Sequence, residues 1–341
     1  MKYSSRFFLY APLALFLSLA AATGIYWWVV AGALSSRLDA MNGRAAMPGV
    51  TLAFKSKSVS GFPFNLDVLF ADVTVTVQTP HGPSSWTTEK LAMHGLTYGR
   101  EQFIYEAAGR QMLRWTDLAG KPHAMPFEVG DLHASTIAGA RGLSRIDIDC
   151  ADFGSPMMLA ARLQVHARIN PGGTAIDLFA TADQVHLSPA LASLFGAEVT
   201  QVKLDASAVP SRAFDGLRAG RTDWVSAFET FRAANGGLQV NDLEISWDRL
   251  SAMGKGRLSL DGAHRIEGLL DFKVAGIETL LANAQRHGVR GNPNAGIAAA
   301  LLDRAAVGGS NEAGLLGAVV GFHGGMVSVG GEPATAEEPL Y

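Results

Sequence analysis

The chain has 341 residues, 48% of them hydrophobic and 17% charged, with a net charge of −3. With no basic surplus and no long basic run there is no electrostatic footprint for nucleic acid, so that class of partner is excluded. The single cysteine, Cys150, excludes an intramolecular disulfide and a thiolate zinc centre, and reads as a small buried apolar side chain.

The apolar excess lies at one end. From Phe7 to Ser36 there is no charged residue; Leu13, Leu15, Phe16 and Leu17 fill the first half of this run, and Trp27, Trp28 and Val29 the second. About 20 apolar residues cross a bilayer as a helix, so residues 1–36 read as a cytoplasmic stub and a transmembrane signal anchor. Lys2 and Arg6 precede the run, whereas Arg37, Asp39 and Arg44 follow it with mixed sign. This bias favours a cytoplasmic N-terminus, with the rest of the chain across the membrane. Tyr26, Trp27 and Trp28 would then sit at the outer interface, where amphipathic rings are stable. A cleaved signal peptide is the alternative, because Ser18-Leu19-Ala20 and Ala20-Ala21-Ala22 resemble cleavage sites. Strong hydrophobicity continues past both, which favours the anchor.

Residues 37–49 read as a connector, a helical continuation ending at Pro48-Gly49. From Val50 the period changes to two. Val50–Lys57, Asn65–Phe70 and Val73–Val77 alternate, with Gly61-Phe62-Pro63-Phe64 turning the chain between the first two. The same texture recurs over Trp86–Leu96, Phe127–Ser135, Ser144–Ile148, Leu159–Ile169, Thr174–Ala182 and Val199–Val209. Leu238–Trp247, Met253–Asp261 and Arg265–Phe272 read as three more strands. Thr222-Asp223 offers an N-cap to a helix carrying Val225, Phe228 and Phe231, and Ile277–His287 and Ala295–Ala306 also look helical. A last strand, Gly325–Gly330, precedes a loose tail. The fold class is mainly β with a few helices: a transmembrane helix, then a long curved antiparallel sheet over residues 50–332, an open groove or partly closed barrel, and a flexible tail over 333–341.

Two segments resemble a known family. Ser58–Val68, containing Gly61, Phe62, Pro63 and Phe64, follows the anchor and one strand as in the bacterial family called domain of unknown function 2125. The block Trp247-Asp248-Arg249-Leu250, then Gly254–Asp261 and Glu267-Gly268, is similar to that family's later segment. The resemblance implies a bacterial envelope protein, hence an anchor in the inner membrane and a periplasmic main domain, and supplies no activity. The anchor and the repeated Gly-x-Leu-x-Leu-Asp texture are also similar in architecture to the AsmA-like envelope proteins, whose curved sheets are thought to carry lipid. Without any activity, Phe62 and Phe64 can wedge a sheet corner; as an alternative they form an apolar lip together with Trp247.

No Gly-x-Ser-x-Gly elbow, His-Glu-x-x-His helix, phosphate loop or dinucleotide fingerprint is present, so no enzyme, catalytic residue, cofactor or metal is expected. Asp147 and Asp149 share a strand face near Asp152; a calcium site there lacks ligands, and a solvated face is favoured. His123 and His133 flank a strand and with Asp131 are the best histidine grouping. A period-two sheet must bury one face, in a closed core or against lipid acyl chains. The leading expectation is therefore a membrane-anchored envelope protein that binds or shields lipid, with a role in envelope lipid transport or homeostasis. The alternative is a non-enzymatic scaffold that recruits envelope proteins, and a hydrolase ranks last.

Overall fold

The computed structural model describes residues 5–99, 101–117, 120–189, 197–247, 250–276 and 315–341. The predicted helices over Ile277–His287 and Ala295–Ala306, and Asp248 and Arg249, lie outside the described residues.

Helix α1 runs unbroken from Ser5 to Met41 with Pro12 inside it, about 55 Å at 1.5 Å per residue. It is the one helix among the described residues long and apolar enough to cross a membrane. Phe7, Leu13, Leu15, Phe16, Leu17, Trp27, Trp28 and Val29 all fall on it. The helix is longer than a bilayer needs, and its last part packs on protein: Leu38 is buried against Phe54, Val68, Phe70, Val73 and Met93, with Leu34 beside them. The connector is thus not one helical continuation. The helix stops at Met41, and Arg44–Met47 forms β1, which turns at Pro48-Gly49 and pairs with β2 (Val50–Ala53).

After β3 (Ser56–Ser60) come β4 (Asn65–Thr79), β5 (Gly82–Leu96), β6 (Gln102–Thr116), β7 (Pro122–Phe127), β8 (Asp131–Gly139) and β9 (Gly142–Gly154). The sheet continues through β10 (Met158–Ile169), β11 (Ile176–Leu187), β12 (Glu198–Val209), β13 (Gly237–Trp247), β14 (Leu250–Leu260), β15 (Ile266–Ala275), β16 (Leu316–His323), β17 (Met326–Val329) and β18 (Glu332–Ala336). Nearly every strand pairs antiparallel with the next, and β7 and β8 share β6. All the strands belong to a single sheet, which stays open and does not close into a barrel. Short Gly-, Asn- and Pro-containing turns make this meander the economical solution, because each hairpin pairs strands close in sequence.

Between β12 and β13 a 3₁₀ turn (Ser211–Phe214), the single-turn α2 (Asp215–Arg218) and α3 (Trp224–Ala233) form a small helical cap. Asp223 caps α3 by accepting from the Ser226 N–H at 2.7 Å. Phe231 packs on Phe214, and the Trp224 indole donates to the Gln78 carbonyl at 2.9 Å, tying the cap to the end of β4.

The tail differs from its sequence reading. Glu332–Ala336 extends the sheet on β17, and Tyr341 is buried, stacked on His264 and donating to Glu229 at 3.0 Å. Proline, alanine and glutamate made this segment look loose, but local composition is overridden by an available strand edge and an aromatic pocket.

A line of left-handed residues crosses the sheet: Asp72 (φ 51°), Gly109 (φ 85°), Asp152 (φ 50°) and Gln184 (φ 49°). Each lies two positions beyond a member of one cross-strand row, Phe70, Ala107, Cys150 and Ala182. A left-handed residue interrupts the pleat, so the packed side passes from Phe70 to Val73, from Cys150 to Phe153 and from Ala182 to Val185. At the same level the β5–β6 register shifts, with Gly109 accommodating the positive φ.

Candidate functional site

Directly opposed residues of antiparallel strands share a face. Followed from β4 to β16, one register reads Phe70, Leu91, Ala107, Leu132, Cys150, Leu163, Ala182, Val202, Ile245, Ala252, Val274 and Leu316. The adjacent row runs from Val68 through Met93, Tyr105, Ala134, Ile148, Val165, Ala180, Leu204 and Leu243 to Phe272 and Ala318, interrupted only by Gly254. Neither row contains a charged side chain. The opposite face, one residue along, reads Glu106, His133, Asp149, Gln164, Thr181, Lys203 and Glu244. The sheet therefore has one side that is apolar from β4 to β16 and an opposite side that is polar and charged from β6 to β13.

Helix α1 descends onto the apolar side and leaves a trough of about 600 Å³ beside it. Leu38 and Met41 of the helix, Leu52, Phe70, Val75, Trp86, Leu91, Met93, Tyr105, Ala107, Leu132, Ala134 and Ile148 line it. The only side-chain polar atoms this set contributes are the Tyr105 hydroxyl and the Trp86 N–H, and the latter donates to Gln111 at 2.9 Å. Ile148 is 37% exposed although it lies in the middle of the apolar row, so the face is open at this point. An apolar concavity of this size accommodates hydrocarbon.

The helix is clamped there. Lys57 Nζ reaches from β3 to Ser35 Oγ at 2.7 Å and Asp39 at 3.0 Å, with its side chain 9% exposed. Asn42 accepts from the Phe54 N–H at 2.9 Å and donates to the Phe54 carbonyl at 3.0 Å.

Titratable groups gather on the other side. Asp147 lies 2.7 Å from His166 Nδ1 and 2.7 Å from Arg145 Nε, and accepts from Ser135. Burial opposes its ionisation, but the hydrogen bonds from His166, Arg145 and Ser135 outweigh it and hold the carboxyl below the ordinary carboxylate range. Arg162 grips Asp149 with two N–H groups and lowers it likewise. Lys203 sits between Asp242 at 2.9 Å and Glu244 at 3.0 Å, and both raise its ammonium. Asp147 and Asp149 do share a face, where Asp147 is engaged by Arg145 of its own strand and by His166 of β10, and Asp149 by Arg162 of β10; Asp152 belongs to the line of left-handed residues. Among the described residues no three metal-ligating side chains converge. The histidine grouping is not formed: His123 stacks on Trp115 and bonds Asp117, whereas His133 faces Glu106 and Asp131. Cys150 lies in the apolar row, and burial, helped by the charges of Asp149 and Asp152, pushes its thiol up to about 11.

Gly61, with φ 98°, opens the turn between β3 and β4, and Phe62 and Phe64 project from it. Phe62 meets Trp27 edge-to-face, ring centroids 5.6 Å apart. Trp247 is not part of this lip: it ends β13 in a separate cluster with Ala160, Val185 and Val199. Sequence reading missed Leu38 and Met41. Their signal was present, because Ala31, Leu34, Leu38 and Met41 fall on one helical face while Arg37 and Asp39 fall between them.

A family model described as an uncharacterized protein conserved in bacteria, DUF2125, matches residues 27–336. No curated protein and no solved structure matches the chain.

Proposed function

The chain belongs to DUF2125, a family of uncharacterised proteins conserved in bacteria, and from that premise we propose that it is a single-pass inner-membrane protein whose periplasmic sheet holds the acyl part of a lipid. The observation that carries this reading is the uncharged apolar side of the sheet, continuous in register from β4 to β16 and open at Ile148 beside the end of the anchor. An apolar face this wide, fed by a helix that is itself apolar, favours transfer or shielding of hydrocarbon over chemistry. The clustered carboxylates and their cations, Asp147, Asp149, Arg162 and Lys203, lie on the side of the sheet away from the trough, which supports a non-enzymatic role. Positive charge before the apolar run supports a cytoplasmic N-terminus.

Native mass spectrometry of the full chain released from detergent tests the proposal. Adducts of phospholipid mass that survive removal of the micelle are expected; a bare protein mass under conditions that retain fold overturns it. A second reading, a scaffold for envelope proteins, draws support from the open sheet, whose terminal strand β18 is paired on one side with β17. Crosslinking in cells that finds no protein neighbour counts against that reading.

A further inference from the structure

The Gly61–Phe64 turn is not explained by the trough. It stands at the end of the sheet from which α1 departs, and it is stitched to the helix and to the neighbouring β5–β6 turn. The Trp27 indole donates to the Asn65 carbonyl at 2.8 Å, and the Tyr26 hydroxyl to the Thr97 carbonyl at 3.1 Å. The buried Thr97 in turn donates its N–H and its hydroxyl to the Phe64 carbonyl, each at 2.9 Å. The two turns are therefore tied to each other and to the helix by hydrogen bonds.

Aromatic side chains stand outward from both turns. Phe62 is 62% exposed, Phe64 58% and Tyr98 71%, with Leu96 exposed beside them. No charged residue occurs from Ser58 to Leu66, and the β5–β6 turn carries Tyr98 before it closes with the charged pair Arg100-Glu101. Three aromatic rings held outward on rigid turns would be a liability in water.

Their height relative to the bilayer follows from the helix. The stretch from Phe7 to Tyr26 alone is about 30 Å long, one hydrocarbon thickness. Trp27 then lies at the outer boundary and Gly24 just inside it. The Phe62 ring lies over Gly24, 3.7 Å from where a Cβ would stand, so it reaches a turn below the tryptophan toward the bilayer centre.

We infer that Phe62, Phe64 and Tyr98 form a membrane-inserted rim, immersed in the interfacial layer of the outer leaflet beside α1. The sheet is then attached to the membrane at a second place, which fixes its tilt and sets the near end of its apolar side, Leu66 and Phe103, at lipid level. Aromatic side chains are the ones the interface favours, because it accepts an apolar ring with a polar tip. The inference rests on α1 crossing the bilayer and does not require a lipid in the trough.

Spin labels on the full chain in nanodiscs of mixed phosphatidylcholine and phosphatidylglycerol test it. Phe64→Cys and Tyr98→Cys, each in a Cys150→Ala background, are compared with Ser18→Cys in the span and Lys121→Cys at the far end of the sheet. Labels at 64 and 98 are expected to shift from nickel-chelate access toward oxygen access, as at 18, while the label at 121 stays nickel-accessible. Water-like access at both 64 and 98 with a protected 18 overturns the rim and leaves the anchor standing. Water-like access at 18 as well overturns both. A lipid-free protein by mass spectrometry with protected rim labels would overturn the trough reading alone.

Discussion

A carboxylate introduced at Ile148 separates stability from lipid binding. Full burial of an isoleucine is worth roughly 1.5–3 kcal/mol, and Ile148 is already 37% exposed, so Ile148→Glu costs roughly 1–2 kcal/mol of fold stability. A glutamate at this open position can also turn its charge to water. An acyl chain lying against the row must strip that water away, at a cost of several kcal/mol; about 3 kcal/mol already weakens binding on the order of a hundredfold. Leu69→Glu is the matched control, since Leu69 is 52% exposed on the charged side of the same sheet, next to Ala92 and Glu106 in register. Both variants should melt within a few degrees of each other. Phospholipid retained per mole of protein after size exclusion in mild detergent should fall in Ile148→Glu and stay at the wild-type value in Leu69→Glu. Equal retention in the two, with both folded, refutes the assignment of the apolar side as the lipid face.

Lys57→Ala removes the clamp between β3 and the end of α1; because Asp39 is largely exposed, the loss in urea unfolding should be about 1 kcal/mol, with faster amide exchange over residues 35–41. Asp147 has a folded-state pKa below its unfolded value, so its contribution is present above about pH 4 and lost as pH falls through the folded value. Asp147→Asn should therefore flatten the acid side of the stability profile, and an unchanged acid slope would contradict the His166 and Arg145 contacts. Cys150, with a thiol pushed up to about 11 by burial, should resist alkylation at pH 8 in the native chain and react fully in denaturant; rapid native labelling would show the row is open there.

The alternation of apolar residues made most strands legible, and with them the two-sided character of the sheet. It failed where the pleat is interrupted. β4 is one strand from Asn65 to Thr79, yet it reads as two pieces, because Asp72 shifts the packed side from Phe70 to Val73. β6 escaped sequence reading for the same reason: Phe103, Tyr105 and Ala107 alternate, then a bulge with Gly109 intervenes and a buried glutamine, Gln111, takes the next inward place. That glutamine is tolerable only because Trp86 and Thr88 across the strand satisfy it, which no single-strand pattern reveals. The trough was less legible than the sheet. Its apolar side could be read from periodicity, but its wall depends on α1 continuing beyond the length a bilayer needs to bring Leu38 and Met41 over β4, a long-range contact.

Site-directed photocrosslinking in cells grown on radiolabelled phosphate tests the lipid reading most directly, because the whole chain stays in its own membrane. With benzoylphenylalanine at Ile148, irradiation should give a labelled adduct of lipid mass; with the same group at Leu69, on the far side of the sheet, it should not. No labelled adduct from Ile148, or equal labelling from both faces, would contradict the account.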